Sequence, residues 1–137
     1  MPYAILRFQK RKAGGVAACE RHNERKKEAY KSNPDIDMER SKDNYHLVNP
    51  PRYTYKKEIN RMVAEAGCRT RKDSVMMVET LITASPEFMN SLPPKEQKAY
   101  FTMALDFISE RVGEKNILSA VVHMDERTPH MHLCFVP

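Results

Sequence analysis

No stretch of roughly 18 consecutive apolar residues occurs in this sequence, so no part of it is expected to cross a membrane as a helix. The opening MPYAILRFQKRK has neither the long apolar region nor the small-residue cleavage site of a secretory signal. Cysteine is scarce, and Cys19, Cys68 and Cys134 are widely spaced with no CxxC pair. An odd, scattered set argues against a disulfide framework or a cysteine zinc site and fits reduced thiols in a cytoplasm. Internal repeats and low-complexity tracts are missing as well. What remains is an ordinary globular composition, 41% hydrophobic and 30% charged, in 137 residues, enough for one domain with a real core.

The net charge of +5 is unevenly distributed. Residues 1–72 carry 18 Lys/Arg against 9 Asp/Glu, an excess of +9, whereas residues 73–137 carry 5 against 9, a deficit of −4. A basic half beside an acidic half suits a polyanionic partner, although a solvated basic face would look the same.

Tyr3 to Lys10 reads as a strand bounded by a Gly14-Gly15 turn, followed by a breaker-free helical composition from Val16 to about Lys31. Residues 33–54 are polar and proline-punctuated, a long loop with a short strand near Tyr45–Leu47. Tyr55, Ile59, Met62, Val63 and Ala66 follow helical spacing over Tyr55–Ala66, and Gly67 stands where a helix-ending glycine belongs. Val75–Thr83 is a strand, with Met76 and Met77 in the core. Pro93-Pro94 opens a helix over Lys95–Val112, whose stripe of Tyr100, Phe101, Ala104, Leu105, Ile108 and Val112 faces that core. Two apolar runs, Ile117–Met124 and His130–Val136, flank Asp125-Glu126-Arg127-Thr128-Pro129 as a β-hairpin. The expected order is β-α-α-β-α-β-β: an α+β fold, an antiparallel sheet with helices packed mainly on one face.

Three of the five histidines fall in the stretch HMDERTPHMH, residues 123–132. Residues i and i+2 of a strand share a face, so His130 and His132 project together while Met131 turns to the core. The hairpin returns His123 beside them. Three imidazoles with open positions left over suit a catalytic metal centre better than a closed structural one, and they accept zinc, manganese, nickel or iron. Glu126 is a fourth ligand, a base, or an acceptor orienting a histidine N–H. Asp125 reads as a plain turn residue.

The pair His130-Met131-His132 resembles the motif of HUH endonucleases. With the full HMDERTPHMH string, the basic opening strand Tyr3–Lys12, the block Arg21-His22-Asn23-Glu24-Arg25, the Asn44-Tyr45 stretch and Arg69-Thr-Arg-Lys-Asp73, the sequence is similar to Mob/Pre (MobV) relaxases of mobilizable plasmids and transposons. The resemblance implies a relaxase that nicks one DNA strand at an origin of transfer and stays on the 5′ end, in a family also named plasmid recombination enzymes. It implies a divalent metal, Mn2+ or Mg2+ ahead of Zn2+ or Ni2+, and single-stranded or supercoiled origin DNA as partner. The family's catalytic domain continues further and adds a region for dimerisation or membrane association. Residues 1–137 are therefore expected to be one relaxase domain truncated at its C-terminal end, with a homodimer formed through the missing region.

The same resemblance assigns His22 as nucleophile; Arg25 and Glu126 are its candidate catalytic partners, beside the metal ligands His123, His130 and His132. Imidazole, with a pKa near ~6.5, is largely neutral and nucleophilic at pH 7, whereas tyrosine near ~10 needs activation. Arg25, three residues on and expected on the same helical face, would depress the His22 pKa and stabilise phosphate charge. Tyr45 is the rival nucleophile, with Tyr30 and Tyr3 behind it. Arg7, Lys10, Asn44, Tyr45, Arg69, Arg71 and Lys72 are candidates for DNA contact, and Asp73 for capping the strand that follows. Two other functions remain open: a phosphodiesterase using water, and a non-catalytic DNA-binding fragment.

Overall fold

The computed structural model describes residues 3–25 and 43–137. The first strand, β1 (Ala4–Lys12), runs directly into α1 (Ala13–Asn23). Gly14 and Gly15 therefore lie in the first turn of a helix and not in the expected loop. Glycine forfeits roughly 1 kcal/mol of helix propensity per residue. Tertiary contacts offset that cost: Val16 and Cys19 are buried, and the Arg11 side chain passes 3.7 Å from where a Gly15 Cβ would stand.

The helix also ends before its composition suggests. It closes at Asn23, and Arg25 takes a left-handed backbone with φ of 52°. That conformation costs a residue with a Cβ roughly 1–2 kcal/mol, and the ion pair described below holds it. The remainder of the expected helix, with Tyr30, lies outside the described residues.

The short strand expected near Tyr45 is β2 (Tyr45–Val48). α2 (Tyr55–Ala66) is capped by Thr54, whose Oγ1 accepts from the Lys57 N–H at 3.1 Å, and closed by Gly67 at φ of 67°. β3 (Val75–Ala84) is followed by α3 (Pro86–Ser91), which was not anticipated, and α4 (Pro94–Val112). The chain finishes with β4 (Ile117–His123) and β5 (His130–Phe135), the expected hairpin. α3 is thus an addition to what was read from sequence, and β2 is the short strand expected within the long loop.

All five strands form one antiparallel sheet in the order β1-β3-β5-β4-β2. Val78, Ile82 and Ala84 of β3 and Met131, Leu133 and Phe135 of β5 meet Met89 of α3 and Phe101 and Ile108 of α4. Their neighbours in sequence, Met77 and Cys134, point the other way and pack with Val16 and Cys19 of α1 and Tyr55 and Ile59 of α2. Helices therefore cover both faces, a correction to the expectation of one. The reason is visible in VMMVETLIT: central strands buried on both sides read as near-continuous apolar runs and need cover on each.

Candidate active site at the histidine hairpin

Cross-strand partners of an antiparallel sheet share a face, and the register pairs His123 with His130, and His132 with Leu81 and Val121. The three imidazoles converge on the face carrying α1. His123 is fully buried and His132 nearly so. Ring centroids lie 4.6 Å apart for His123 and His132, 4.9 Å for His130 and His132, and 5.4 Å for His123 and His130.

Each ring has one nitrogen fixed by an acceptor behind it. His123 Nε2 donates to the Asn23 carbonyl at 2.7 Å, His132 Nδ1 to Glu79 Oε2 at 3.1 Å, and His130 Nδ1 to the Thr128 carbonyl at 2.9 Å. These acceptors turn His123 Nδ1, His132 Nε2 and His130 Nε2 inward, where His130 Nε2 meets Glu126 Oε2 at 2.7 Å. Two of them, His123 Nδ1 and His132 Nε2, are buried with no hydrogen-bond partner. Buried polar atoms are rarely left so. A ligand nitrogen awaiting a cation is a sufficient explanation, and one ligand atom from each histidine falls within 4.8 Å of the others. The donor set fits a divalent metal, with acceptors outside it of the kind that fix the tautomer of a ligating histidine.

Charge agrees with this reading. Burial pushes the His123 pKa down to about 2, helped by His132 and Arg25, and burial likewise lowers His132. Both rings are neutral and ready to ligate. Burial would raise the Glu79 pKa, but hydrogen bonds from His132, Arg11 and Asn23 outweigh it and hold the carboxyl well below its usual range. The Arg11 contact is 2.7 Å and the Asn23 contact 2.8 Å.

The nucleophile candidate comes from across the cleft. His22 lies on the last turn of α1, its ring centroid 5.9 Å from that of His132 and 6.3 Å from that of His123. That turn is tethered on several sides. Glu20 accepts from the Tyr55 N–H at 2.8 Å, Asn23 donates to Glu79, and Glu24 takes Tyr55 Oη, Ser119 Oγ and His46 Nε2. Arg25, beyond the helix and not on its face as expected, donates to the His22 carbonyl at 3.0 Å and grips Asp125 through two contacts of 2.8 Å. Asn44 braces the same turn, donating to Asp125 at 3.1 Å and accepting from the Met124 N–H at 2.6 Å. Asp125 is therefore a fully buried anchor and not a plain turn residue. Glu126 stands 2.7 Å from His130 Nε2 and 3.4 Å from Arg25. Burial lowers the His22 pKa first, then Arg25, then His132. Together His22, Glu126, His130, His132, Leu81 and Thr83 line a cleft of about 330 Å³.

A sequence model of the Mob/Pre family, described as plasmid recombination enzyme, matches residues 1–137. The chain belongs to this family. It is 43% identical over 136 residues to a plasmid recombination enzyme of Bacillus thuringiensis, covering 98% of this chain and 30% of that protein. Against a type 2 enzyme of Staphylococcus aureus the identity is 41% over 140 residues, covering all of this chain and 33% of the other. The chain thus spans about a third of the length of these relatives. Among solved structures it is similar to the Mn-bound MobM relaxase domain in complex with pMV158 oriT DNA, at 40% identity and a TM-score of 0.91, covering 98% of this chain and 70% of that one.

Within this Mob/Pre chain the remaining candidates scatter. Arg7 is on the histidine face of β1, paired with Leu81, whereas Lys10 pairs with Val78 on the opposite face. Tyr45 also faces away, packing in the α4 core with Lys98 5.9 Å from its ring centre, and burial raises its pKa. Arg69, Arg71, Lys72 and Asp73 are exposed in the loop before β3, at the end of the sheet away from the hairpin. Glu79, Arg11 and Asn23 were missed. Only Glu79 carried a signal, as a lone acid inside an apolar strand.

Proposed function

We propose that this chain is the catalytic portion of a DNA relaxase, which nicks one strand at an origin of transfer by attack of His22 on the scissile phosphate. The observation that carries this reading is the placement of His22 across an open cleft from three converging histidines, two of which, His123 and His132, turn an unpartnered nitrogen inward. A phosphate in that cleft would lie between the imidazole and the ligand set.

His123, His130 and His132, with Glu126 beside them, would hold the metal, which when bound would supply Lewis-acid charge to the scissile phosphate. Three imidazoles and a carboxylate suit Mn2+ better than Mg2+, which prefers oxygen donors. The MobM relative is itself Mn-bound. The rest is done by the chain. His22 is kept neutral by burial and by Arg25, and its turn is fixed by the tethers of Glu20, Asn23, Glu24 and Arg25. A lone pair on its ring forms the P–N bond as the bond to the 3′ oxygen breaks. The proton lost from the ring matches the one gained by the departing 3′-OH, and the 5′ end remains on His22 as a phosphoramidate. Reversal by that 3′-OH reseals the strand. Arg25, fixed by Asp125, adds positive charge near the reacting phosphate. Arg7 gives the β1 edge a cation for the single strand leaving the cleft.

Intact-protein mass spectrometry after incubation with Mn2+ and the 22-nucleotide origin strand bound by MobM tests this. The expected product is a stoichiometric adduct, labile in acid, that His22→Ala abolishes. Cleavage with turnover and no adduct means water attack. Adduct formation by His22→Ala moves the nucleophile elsewhere, and Tyr45 is next despite its orientation. Salt-dependent binding unaffected by chelator, with no product at any metal concentration, leaves a DNA-binding fragment.

A further inference from the structure

Beneath the histidine centre lies a cluster that the nicking chemistry does not use. Cys19 of α1 and Cys134 of β5 are both buried side by side, and the Cys19 thiol donates to Glu79 Oε2 at 3.2 Å. Asn23 Nδ2 touches each sulfur at 3.4 Å, and the two sulfurs and a Glu79 oxygen fall within 4.8 Å of one another. Two sulfurs and a carboxylate suggest a soft-metal site, but the Asn23 amide donates to all three and takes the position a cation would need. What the geometry leaves is a pair of neighbouring thiols, their sulfurs within 4.8 Å of one another. One of them is reachable: Cys19 lines a cavity of about 330 Å³ together with Arg11, Ala18, His22 and His132.

We infer that Cys19 and Cys134 are an oxidation site, closed to a disulfide by a peroxide and tying the His22 helix to the His132 strand. The Cys19 sulfur attacks one oxygen of hydrogen peroxide, the O–O bond breaks, and one water leaves a sulfenic acid behind. The Cys134 sulfur then displaces the sulfenic hydroxyl, forming the S–S bond and releasing a second water. Two thiols and one peroxide become one disulfide and two waters, with two electrons passing from sulfur to oxygen. The sulfurs stand within 4.8 Å of one another and close to about 2.05 Å in the disulfide. Cys19 precedes His22 by one helical turn, and Cys134 follows His132 by two residues on the same face. The cross-link therefore joins the two elements that carry the candidate nucleophile and a candidate ligand. It goes beyond the nicking reaction and is mapped without DNA or metal.

The test uses the Cys68→Ser variant, which removes the exposed thiol. The protein is treated with hydrogen peroxide under native conditions, alkylated after unfolding, and digested for peptide mass mapping. The expected result is a linked Cys19–Cys134 peptide pair, lighter by two hydrogens and released by dithiothreitol. In the oxidised protein the amides of residues 19–23 should exchange with deuterium at least about tenfold more slowly, because opening α1 then drags on β5. Both cysteines remaining open to alkylation, or Cys19 passing to sulfinic acid without the pair, overturns the inference. Unchanged α1 exchange in the disulfide form overturns the tie between helix and strand.

Discussion

His132 and Glu79 face one another across β5 and β3, with Nδ1 of the ring 3.1 Å from Oε2 of the acid. The carboxylate fixes which nitrogen of His132 carries the proton and so which one points inward. It also enriches the ring as a ligand, the role that outer acceptors play around metal-bound histidines. Glu79→Gln keeps the shape and removes the charge. Mn2+ binding, followed by isothermal titration, should weaken by about 10–100-fold in that variant while the circular dichroism spectrum is preserved. Equal affinity in the variant and the parent would remove Glu79 from any role in the centre.

A second prediction concerns the Arg25–Asp125 pair. Both side chains are buried, 8% and 0% exposed, and the pair joins the end of α1 to the hairpin turn. Breaking a buried ion pair by removing one partner costs roughly 3–5 kcal/mol, because the survivor is left charged and alone. Asp125→Ala should therefore destabilise the chain heavily in urea unfolding. Arg25→Ala with Asp125→Ala should cost clearly less than the two single changes together, by about 0.5–3 kcal/mol. Strict additivity would mean that the pair does not act as a unit.

Much of this centre was legible in the sequence, for reasons that explain what was not. Period-two geometry is local, so His130, Met131 and His132 sorted to opposite faces correctly, and the expected hairpin returned His123 beside His130, across a connection one residue longer than expected because β4 ends at His123. The α+β class followed from elements with clear punctuation, such as Thr54 and Gly67 around α2. Three things depended on partners distant in the chain. The end of α1 is set by Asp125, 100 residues away, and no local propensity encodes that bond. The second helical face required knowing that β3 is central in the sheet. Gly14 and Gly15 read as a turn because their helical role rests on packing around Val16 and Arg11. His22 itself was ordinary by composition and entered through family resemblance alone.

Acid should unfold the metal-free chain through its buried imidazoles. His123 stays neutral in the folded state down to about pH 2, chiefly because it is buried, whereas in the unfolded chain it takes a proton near ~6.5. Below that value the unfolded state binds a proton that the folded state refuses, so stability falls as pH falls. The slope is about 1.4 kcal/mol per pH unit for each imidazole so suppressed. At pH 4.5 His123 alone accounts for about 3 kcal/mol. Urea melts between pH 7 and pH 4.5 should show a loss of that order, and the depressed Glu79 carboxyl adds its own loss only below about pH 4.5. A flat profile across that range would mean that His123 is hydrated and free to protonate.

The last prediction isolates His22. Its pKa is lowered first by burial, then by the Arg25 guanidinium, then by His132. A lowered value keeps the ring neutral at pH values where an ordinary histidine near ~6.5 would be half protonated. Nuclear magnetic resonance titration of the His22 ring carbon in metal-free protein should give a midpoint below 6.5. Arg25→Gln removes the second cause and leaves the first, so its midpoint should move up toward the ordinary value without reaching it. The adduct-forming rate should follow the same ionisation, its acid-side fall lying at lower pH in the parent than in Arg25→Gln. If His22 titrates at or above 6.5 in the parent, the neutral-imidazole attack loses its electrostatic support. If Arg25→Gln leaves the midpoint unmoved but slows adduct formation, the guanidinium acts on the phosphate and not on the nucleophile.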